Sequence, residues 1–397
     1  MEIPTLDNIF DVSDPHASVL PLIPYIFPAA DQAEIDLHVQ PLAQGTTNGL
    51  FKVTNHTAEA EAVLVKVYGD GTDITIDRNK ELWVHKLLSE RDLSSAPLVR
   101  FANGHAYEFI HGGVCSEADM SKTEIFRGVA RELARWHALL QPVDLQGSRK
   151  ELHFEPSVWS TAKRWLNAIS NSPRRSRDEV EELQERFQYL TDKLLPTDVM
   201  PEPLVLGHGD LLCGNIIVQQ SADGIGAVTD VATVRFIDYE HATYCPRAFE
   251  LANHFAEWTG FECDYAKLPG TSIRRAFIRE YLKTHADVRR QHQHQQEHDT
   301  TDCNMANKED TDLPNANDDA QVEKLMRQVD DYRGFPGFYW GLCALIQAET
   351  ATGTIDFDYA GYAQRRFAEY EAWRRVQEGK VGSDEEMPLR EKNWALA

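Results

Sequence analysis

From Ile35 to about Gly69, apolar and polar residues alternate in short runs broken by small-residue turns, the period of half-buried strands. The run DLHVQPLAQGTTNGLFKV predicts two strands joined by a turn at Gln44–Gly49. EAVLVKVYG alternates next, with Val63, Val65 and Val67 on one face and Leu64, Lys66 and Tyr68 on the other. ITIDRNKELWVHKLL carries a helical stripe of Ile76, Leu82, Trp83 and Leu87, and APLVRFANG and HAYEFIHGG predict two more strands. Near Gly112–Gly113 the period changes. FRGVARELARWHALL places Val129, Leu133, Trp136 and Leu140 on one helical face, and WSTAKRWLNAI, DEVEELQERFQYLTDKLL, RAFIREYLKTH and VEKLMRQVDDY predict further helices.

This pattern describes an α+β chain without internal repeats. Residues 1–34 carry Pro4, Pro15, Pro21, Pro24 and Pro28 and read as a loose arm. Residues 35–112 form a β-rich lobe and 113–397 a mainly helical one. Within the second lobe, Gln291 to Ala320 is nearly devoid of apolar residues, cannot repay its ordering entropy, and is expected to be a disordered insertion.

Composition narrows the partners. The 397 residues are 42% hydrophobic and 26% charged, ordinary for a globular chain. A net charge of −23 with no long Lys/Arg cluster repels polyphosphate and anionic membrane surfaces, so nucleic acid is excluded as a partner. The opening MEIPTLDNIFDVSD has neither a basic n-region nor an apolar h-region, and no apolar run is long enough to span a bilayer. Six cysteines (115, 213, 245, 263, 303 and 343) lie far apart, without CxxC pairs or zinc-ligand spacing. The expectation is a cytoplasmic protein with reduced thiols and no integral membrane contact.

Chemistry concentrates in LVLGHGDLLCGNIIV, residues 204–218, where an apolar strand runs into His208-x-Asp210 and Asn215 follows before a second apolar strand. A later β run, VRFID, ends in Asp238. Phosphoryl transfer from a nucleotide needs this set: a carboxylate beside the acceptor hydroxyl, and an amide oxygen plus a second carboxylate to hold Mg²⁺ on the phosphates. Taken singly, His208, Asp210 and Asn215 are also ordinary turn residues. HxDxxxxN together with the strand-terminal Asp is what carries the signal.

Upstream, Lys66 sits mid-strand among valines, either snorkelling at an edge or gripping donor phosphates, with Glu81 of the following helix as its candidate partner. Gln44–Gly49 offers backbone N–H groups and short hydroxyls to phosphates at a hairpin tip but lacks the GxGxxG form. Glu108 to Ile110 lie where the chain passes between lobes. Their backbone suits an adenine, or simply an ordinary buried strand.

At LVKVYG, DRNKE, YEFIHG, HGDLLCGNII, FIDYEHATYCPRAFELANHFAEW, FYWGLCALIQA and IDFDYAGYAQRRF the chain resembles the choline/ethanolamine kinase family, in order from about residue 42 to 375. The LLC of its loop is closest to the ethanolamine kinases. The resemblance implies a protein-kinase-like two-lobed fold, ATP as donor, Mg²⁺ as cofactor and the hydroxyl of a small amino alcohol, ethanolamine first, as acceptor. It allows a homodimer. By position it makes Asp210 the base, Asn215 and Asp238 the metal ligands, and Lys66 with Glu81 the grip on the phosphates, under Thr47 and Asn48. It also places Glu257 beside the substrate ammonium, with Trp340, Phe357 and Tyr265 as aromatic neighbours. A choline or dual-specificity kinase is the alternative, and a catalytically silent kinase-like binding module is the reading from another class.

Three departures from the family pattern matter. Gly209 stands where the family has Asn, which is expected to loosen the loop. His241 replaces a tyrosine after FIDYE and Cys343 an aromatic of the FFWGLW-type run. A quaternary ammonium relies on aromatic faces, whereas a primary ammonium donates hydrogen bonds, so these losses are expected to penalise choline more than ethanolamine.

Overall fold

The computed structural model describes residues 2–29, 36–42, 48–55, 62–69, 71–140, 157–195, 204–219, 231–299, 319–351, 357–382 and 386–396. They belong to two compact units, Met1–Gly112 with Gln347–Asp358, and Gly113–Ile346 with Tyr359–Ala397.

The first unit contains short helices α1 (Pro15–Val19) and α2 (Ile23–Ile26) and strands β1 (Leu37–Leu42), β2 (Asn48–Asn55) and β3 (Ala62–Tyr68). Helix α3 (Arg78–Ser89) and strands β4 (Pro97–Phe101) and β5 (Gly104–Glu108) follow. The strands make one antiparallel sheet in the order β1-β2-β3-β5-β4. The alternation in β3 holds: Val63, Val65 and Val67 enter a core with Phe51, Val53, Val99, Phe101 and Ala106. Lys66, paired across the ladder with Leu50 and His105, takes the opposite face. Asn48 and Gly49 open β2, while the rest of the predicted turn, residues 44–47, lies outside the described residues.

The segment read as a loose arm is part of this core. Phe10, Val19, Leu22, Ile26 and Phe27 are buried against the sheet. Leu6 N donates to Arg100 O and Arg100 N to Pro4 O, extending the sheet beyond β4. The prolines misled because a proline in the first turn of a helix starts it rather than breaking it, as Pro15 and Pro24 do here.

The second unit opens with β6 (Gly113–Val114) and helices α4 (Thr123–Leu139), α5 (Val158–Ser170) and α6 (Arg177–Leu194). The α4 stripe of Val129, Leu133 and Trp136 is buried as its spacing predicts, and α5 and α6 start in capping boxes at Ser157 and Ser176. Strands β7 (Leu204–Gly207), β8 (Ile216–Val218), β9 (Val234–Phe236) and β10 (Thr243–Pro246) form two small sheets, β10-β7 and β6-β8-β9. Then come α7 (Arg247–Glu257), α8 (Thr271–Asp299), α9 (Asp319–Tyr332), α10 (Phe335–Thr350, of which the end from Gln347 counts with the first unit), α11 (Tyr359–Gln377) and α12 (Leu389–Trp394). The expected disordered insertion is overturned at both ends. Residues 291–299 continue α8, because Gln and Glu are good helix formers and only have to extend a helix already nucleated, and 319–320 open α9. Residues 300–318 lie outside the described ones. No helix among the described residues is long and apolar enough to cross a membrane.

Candidate active site

In the first unit, Lys66 Nζ lies 2.5 Å from Glu81 Oε1, both side chains 3% exposed. Asp77 caps the helix that delivers Glu81, accepting from Asn79 N and Lys80 N. Sequence reading found this pair but missed Arg78. Its guanidinium donates to Glu81 Oε2 at 2.9 Å, to Thr72 Oγ1 at 2.8 Å and to Asn48 Oδ1 at 3.0 Å. One carboxylate therefore orients two cations, and Asn48, expected near phosphates, is tied to the same network. The i,i+3 spacing of Arg78 and Glu81 on a helix was the available signal. Glu108 closes the β4–β5 pair, its carboxylate accepting from Ala96 N, and Ile110 follows β5 without regular structure. Phe357 belongs to this unit, and Thr47 lies outside the described residues.

In the second unit the loop after β7 is held from behind by α7. Glu250 accepts from His208 N at 2.8 Å and from Gly209 N at 3.3 Å; Asn253 Nδ2 donates to Gly209 O at 2.9 Å; and His254 Nδ1 meets Leu211 O at 2.8 Å. These residues and Glu257 follow an i, i+3, i+4, i+7 spacing, one face of one helix. Burial pushes the Glu250 carboxyl up to about 7 against the opposing pull of the two backbone N–H groups. His208 is fully buried and burial lowers it to about 3, so the ring is neutral. Its Nε2–H donates to Ile237 O at 2.9 Å and its Nδ1 accepts from Asp210 N.

Gly209 corrects the expectation of a loosened loop. It adopts φ +80, and a Cβ built there would stand 2.3 Å from His241 O. The chain closes tightly because no side chain intervenes.

Asp210 and Asn215 are joined directly. Asn215 Nδ2 donates to Asp210 O at 2.8 Å and to Asp210 Oδ2 at 3.2 Å, leaving Asp210 Oδ1 and the Asn215 amide oxygen without hydrogen bonds among the described residues. Ile237 N donates to Asn215 O, which registers the end of β9, and hence Asp238, against the same loop. Asp238 itself has φ +67, a rare conformation for a side-chain-bearing residue. Burial raises the Asp210 carboxyl well above its ordinary range, and the charges of Glu257, Asp238 and Glu240 raise it further. Glu240 was not anticipated from sequence. An accumulation of carboxylates beside an unused amide oxygen is a donor set for a hard divalent cation.

Trp340 lies in the core, its indole N–H donating to Asn253 Oδ1 at 2.9 Å, so it braces the helix that holds Gly209. His241 packs edge-on to it, ring centroids 5.0 Å apart, and Cys343 is buried in the same cluster with its thiol pushed up by burial, Asp210 and Glu240. Glu257 is 6% exposed; burial raises it to about 6, with Arg366 opposing and Glu369 reinforcing the shift. Tyr265, at the start of a short 3-10 turn, has its hydroxyl pushed up by burial and then by Glu369, which places it in the same neighbourhood.

A family model described as choline/ethanolamine kinase matches residues 39–371. Ethanolamine kinase 2 of Rattus norvegicus is 31% identical over 331 residues, covering 82% of this chain and 73% of that one. Probable choline kinase 2 of Arabidopsis thaliana is 28% identical over 347 residues, covering 84% and 85%. Among solved structures, the ethanolamine kinase of Plasmodium vivax aligns over 92% of this chain and 90% of its own with a TM-score of 0.68 at 23% identity. That likeness shows the fold, the protein-kinase-like α+β architecture expected from the sequence.

Proposed function

The chain belongs to the choline/ethanolamine kinase family and is a kinase; on that premise we propose that it transfers the γ-phosphoryl group of ATP to the hydroxyl of ethanolamine, making phosphoethanolamine for phospholipid synthesis. The observation that carries this reading is the joined pair Asp210–Asn215 with Glu257 close enough for its charge to be felt at Asp210. Such a site serves a small acceptor whose hydroxyl and cation are separated by a short carbon chain.

In this reading Asp210 is the base. Asn215 occupies its Oδ2, so Oδ1 faces the acceptor, orients the hydroxyl and takes its proton. The acceptor oxygen bonds to the γ-phosphorus as the bond to the ADP oxygen breaks, and the proton ends on Asp210. Lys66, aligned by Glu81 and flanked by Arg78, holds donor phosphates, with Asn48 and Thr47 over them; the backbone of Glu108 and Ile110 receives adenine. Asn215 Oδ1 and the Asp238 carboxylate would hold Mg²⁺, which offsets charge on the phosphate oxygens when bound. Glu257 meets the substrate ammonium, with Tyr265 and Trp340 as its aromatic neighbours, and Phe357 is the further aromatic that the family pattern implies.

Turnover on ethanolamine, its mono- and dimethyl derivatives and choline tests the acceptor. We expect kcat/KM to fall with each methyl, because His241 and Cys343 supply less aromatic face than the tyrosine and aromatic of the family pattern. A rising series would make choline the substrate, as the choline kinase names among the relatives allow.

A pH dependence follows from Glu257. Its carboxyl, raised to about 6, is ionised above that pH and neutral below it. The KM for ethanolamine is therefore expected to rise as pH falls through about 6, by up to tenfold per unit, with ATP saturating. Glu257→Gln should raise the KM and remove the step near pH 6. A wild-type KM that stays flat between about pH 5 and 7 would remove Glu257 from the cation site.

A further inference from the structure

Behind Glu257 the second unit buries a charge cluster that the reaction as described does not use. Arg366, on α11, is 0% exposed, and Glu369, one turn on, is 1% exposed. The guanidinium stands between two acids at long range: Nη2 is 3.5 Å from Glu257 Oε1 and Nε is 3.5 Å from Glu369 Oε2. Its Nε and Nη1, and Glu369 Oε2, have no hydrogen-bond partner among the described residues. Helix packing holds them there. A Cβ on Gly337 of α10 would meet Arg366 O at 2.5 Å and Glu369 Cβ at 3.0 Å, so the glycine lets α11 lie close.

One buried cation between two carboxylates leaves an excess of one negative charge. A buried excess charge is costly unless something neutralises it, and an arginine shared between two acids saturates neither. Tyr362, whose ring lies 5.8 Å from the guanidinium, supplies no charge to close the balance.

We propose that Glu369 is a positioning residue for substrate recognition: by engaging Arg366 it keeps the guanidinium from closing on Glu257, which leaves the Glu257 carboxylate oxygens open to the acceptor's ammonium. This rests on the amino-alcohol kinase reading. Without Glu369, Arg366 would close on Glu257 as a two-member pair and satisfy the carboxylate from inside the protein. The cluster thus selects a singly charged cation over a neutral alcohol by its charge count.

The test is Glu369→Gln in the full-length enzyme, with steady-state kinetics in both substrates. The expected result is a rise in the ethanolamine KM of about tenfold or more, the scale of a hydrogen bond to a charged group, with kcat and the ATP KM within about twofold of wild type. Glu369→Asp, which keeps the charge, should recover most of the affinity. An unchanged ethanolamine KM in Glu369→Gln overturns the proposal, as does an equal loss in kcat and both KM values, the mark of a purely structural role. Should Glu369→Gln fail to fold, Arg366→Lys preserves the count of one cation to two acids. Its ethanolamine KM is expected within about threefold of wild type, and a tenfold rise at unchanged kcat would contradict the charge-count account. A wild-type enzyme inactive on every amino alcohol would instead mean that the acceptor reading itself had failed.

Discussion

Asp210→Ala is expected to lower kcat by roughly 10²–10⁴-fold, the range of positioned base catalysis, while the KM for ATP changes little. The loop should survive the change. Asn215 keeps its bond to Asp210 O at 2.8 Å, and the backbone on either side remains tied to Glu250, Asn253 and His254. Stability should not fall. The Asp210 carboxyl is raised in the folded protein by burial and by Glu257, Asp238 and Glu240, so the folded state binds its proton more tightly than the unfolded chain does. The cost of ionising it appears as pH rises above the ordinary aspartate range and is removed in the variant. Equal or higher Tm at neutral pH with kcat down at least a hundredfold is the expected pair of readings. A drop in kcat of less than about tenfold would assign the base elsewhere.

The second large effect is expected at a residue with no side chain. Gly209→Ala puts a Cβ 2.3 Å from His241 O at a backbone of φ +80. The left-handed conformation alone costs about 1–2 kcal/mol for a residue with a Cβ, and the carbonyl contact forces the loop or the His241 turn to move. Asp210 follows in the chain. A displacement of about 1 Å at a reacting group is enough for a hundredfold loss, so kcat is expected to fall on the order of 10²-fold with a lowered Tm. Gly113→Ala is the control, because a Cβ there meets nothing within 4 Å. Near-wild-type activity in Gly209→Ala would show that the loop relaxes freely. The asparagine usual in the family also carries a Cβ, so Gly209→Asn is expected to impair this chain rather than restore it.

Much of this was legible in the sequence because it followed simple periods. The alternation through Val63, Val65 and Val67 described β3 and put Lys66 on the other face, and the α4 stripe described its own burial. HxDxxxxN pointed to Asp210 and Asn215, which the structure joins by a hydrogen bond. What escaped was polar and buried. Glu250, Asn253 and His254 sit on an inward face of α7, where a rule that assigns apolar residues to the interior does not look. Their i, i+3, i+4 spacing was the readable trace, and only Glu257 of that stripe was picked out. Arg366 and Glu369 escaped for the same reason, since a charged pair on a helix reads as surface. The N-terminal segment was misjudged from its prolines when its apolar residues were the better guide.

Phosphoryl transfer from ATP to the ethanolamine oxygen is read out by ³¹P NMR of the enzyme with ATP, Mg²⁺ and ethanolamine. A new phosphomonoester signal is expected to grow in step with ADP, with no inorganic phosphate beyond background and with loss of that signal in Asp210→Ala. ADP accompanied by inorganic phosphate alone, or no turnover by folded protein that binds ATP, would contradict it.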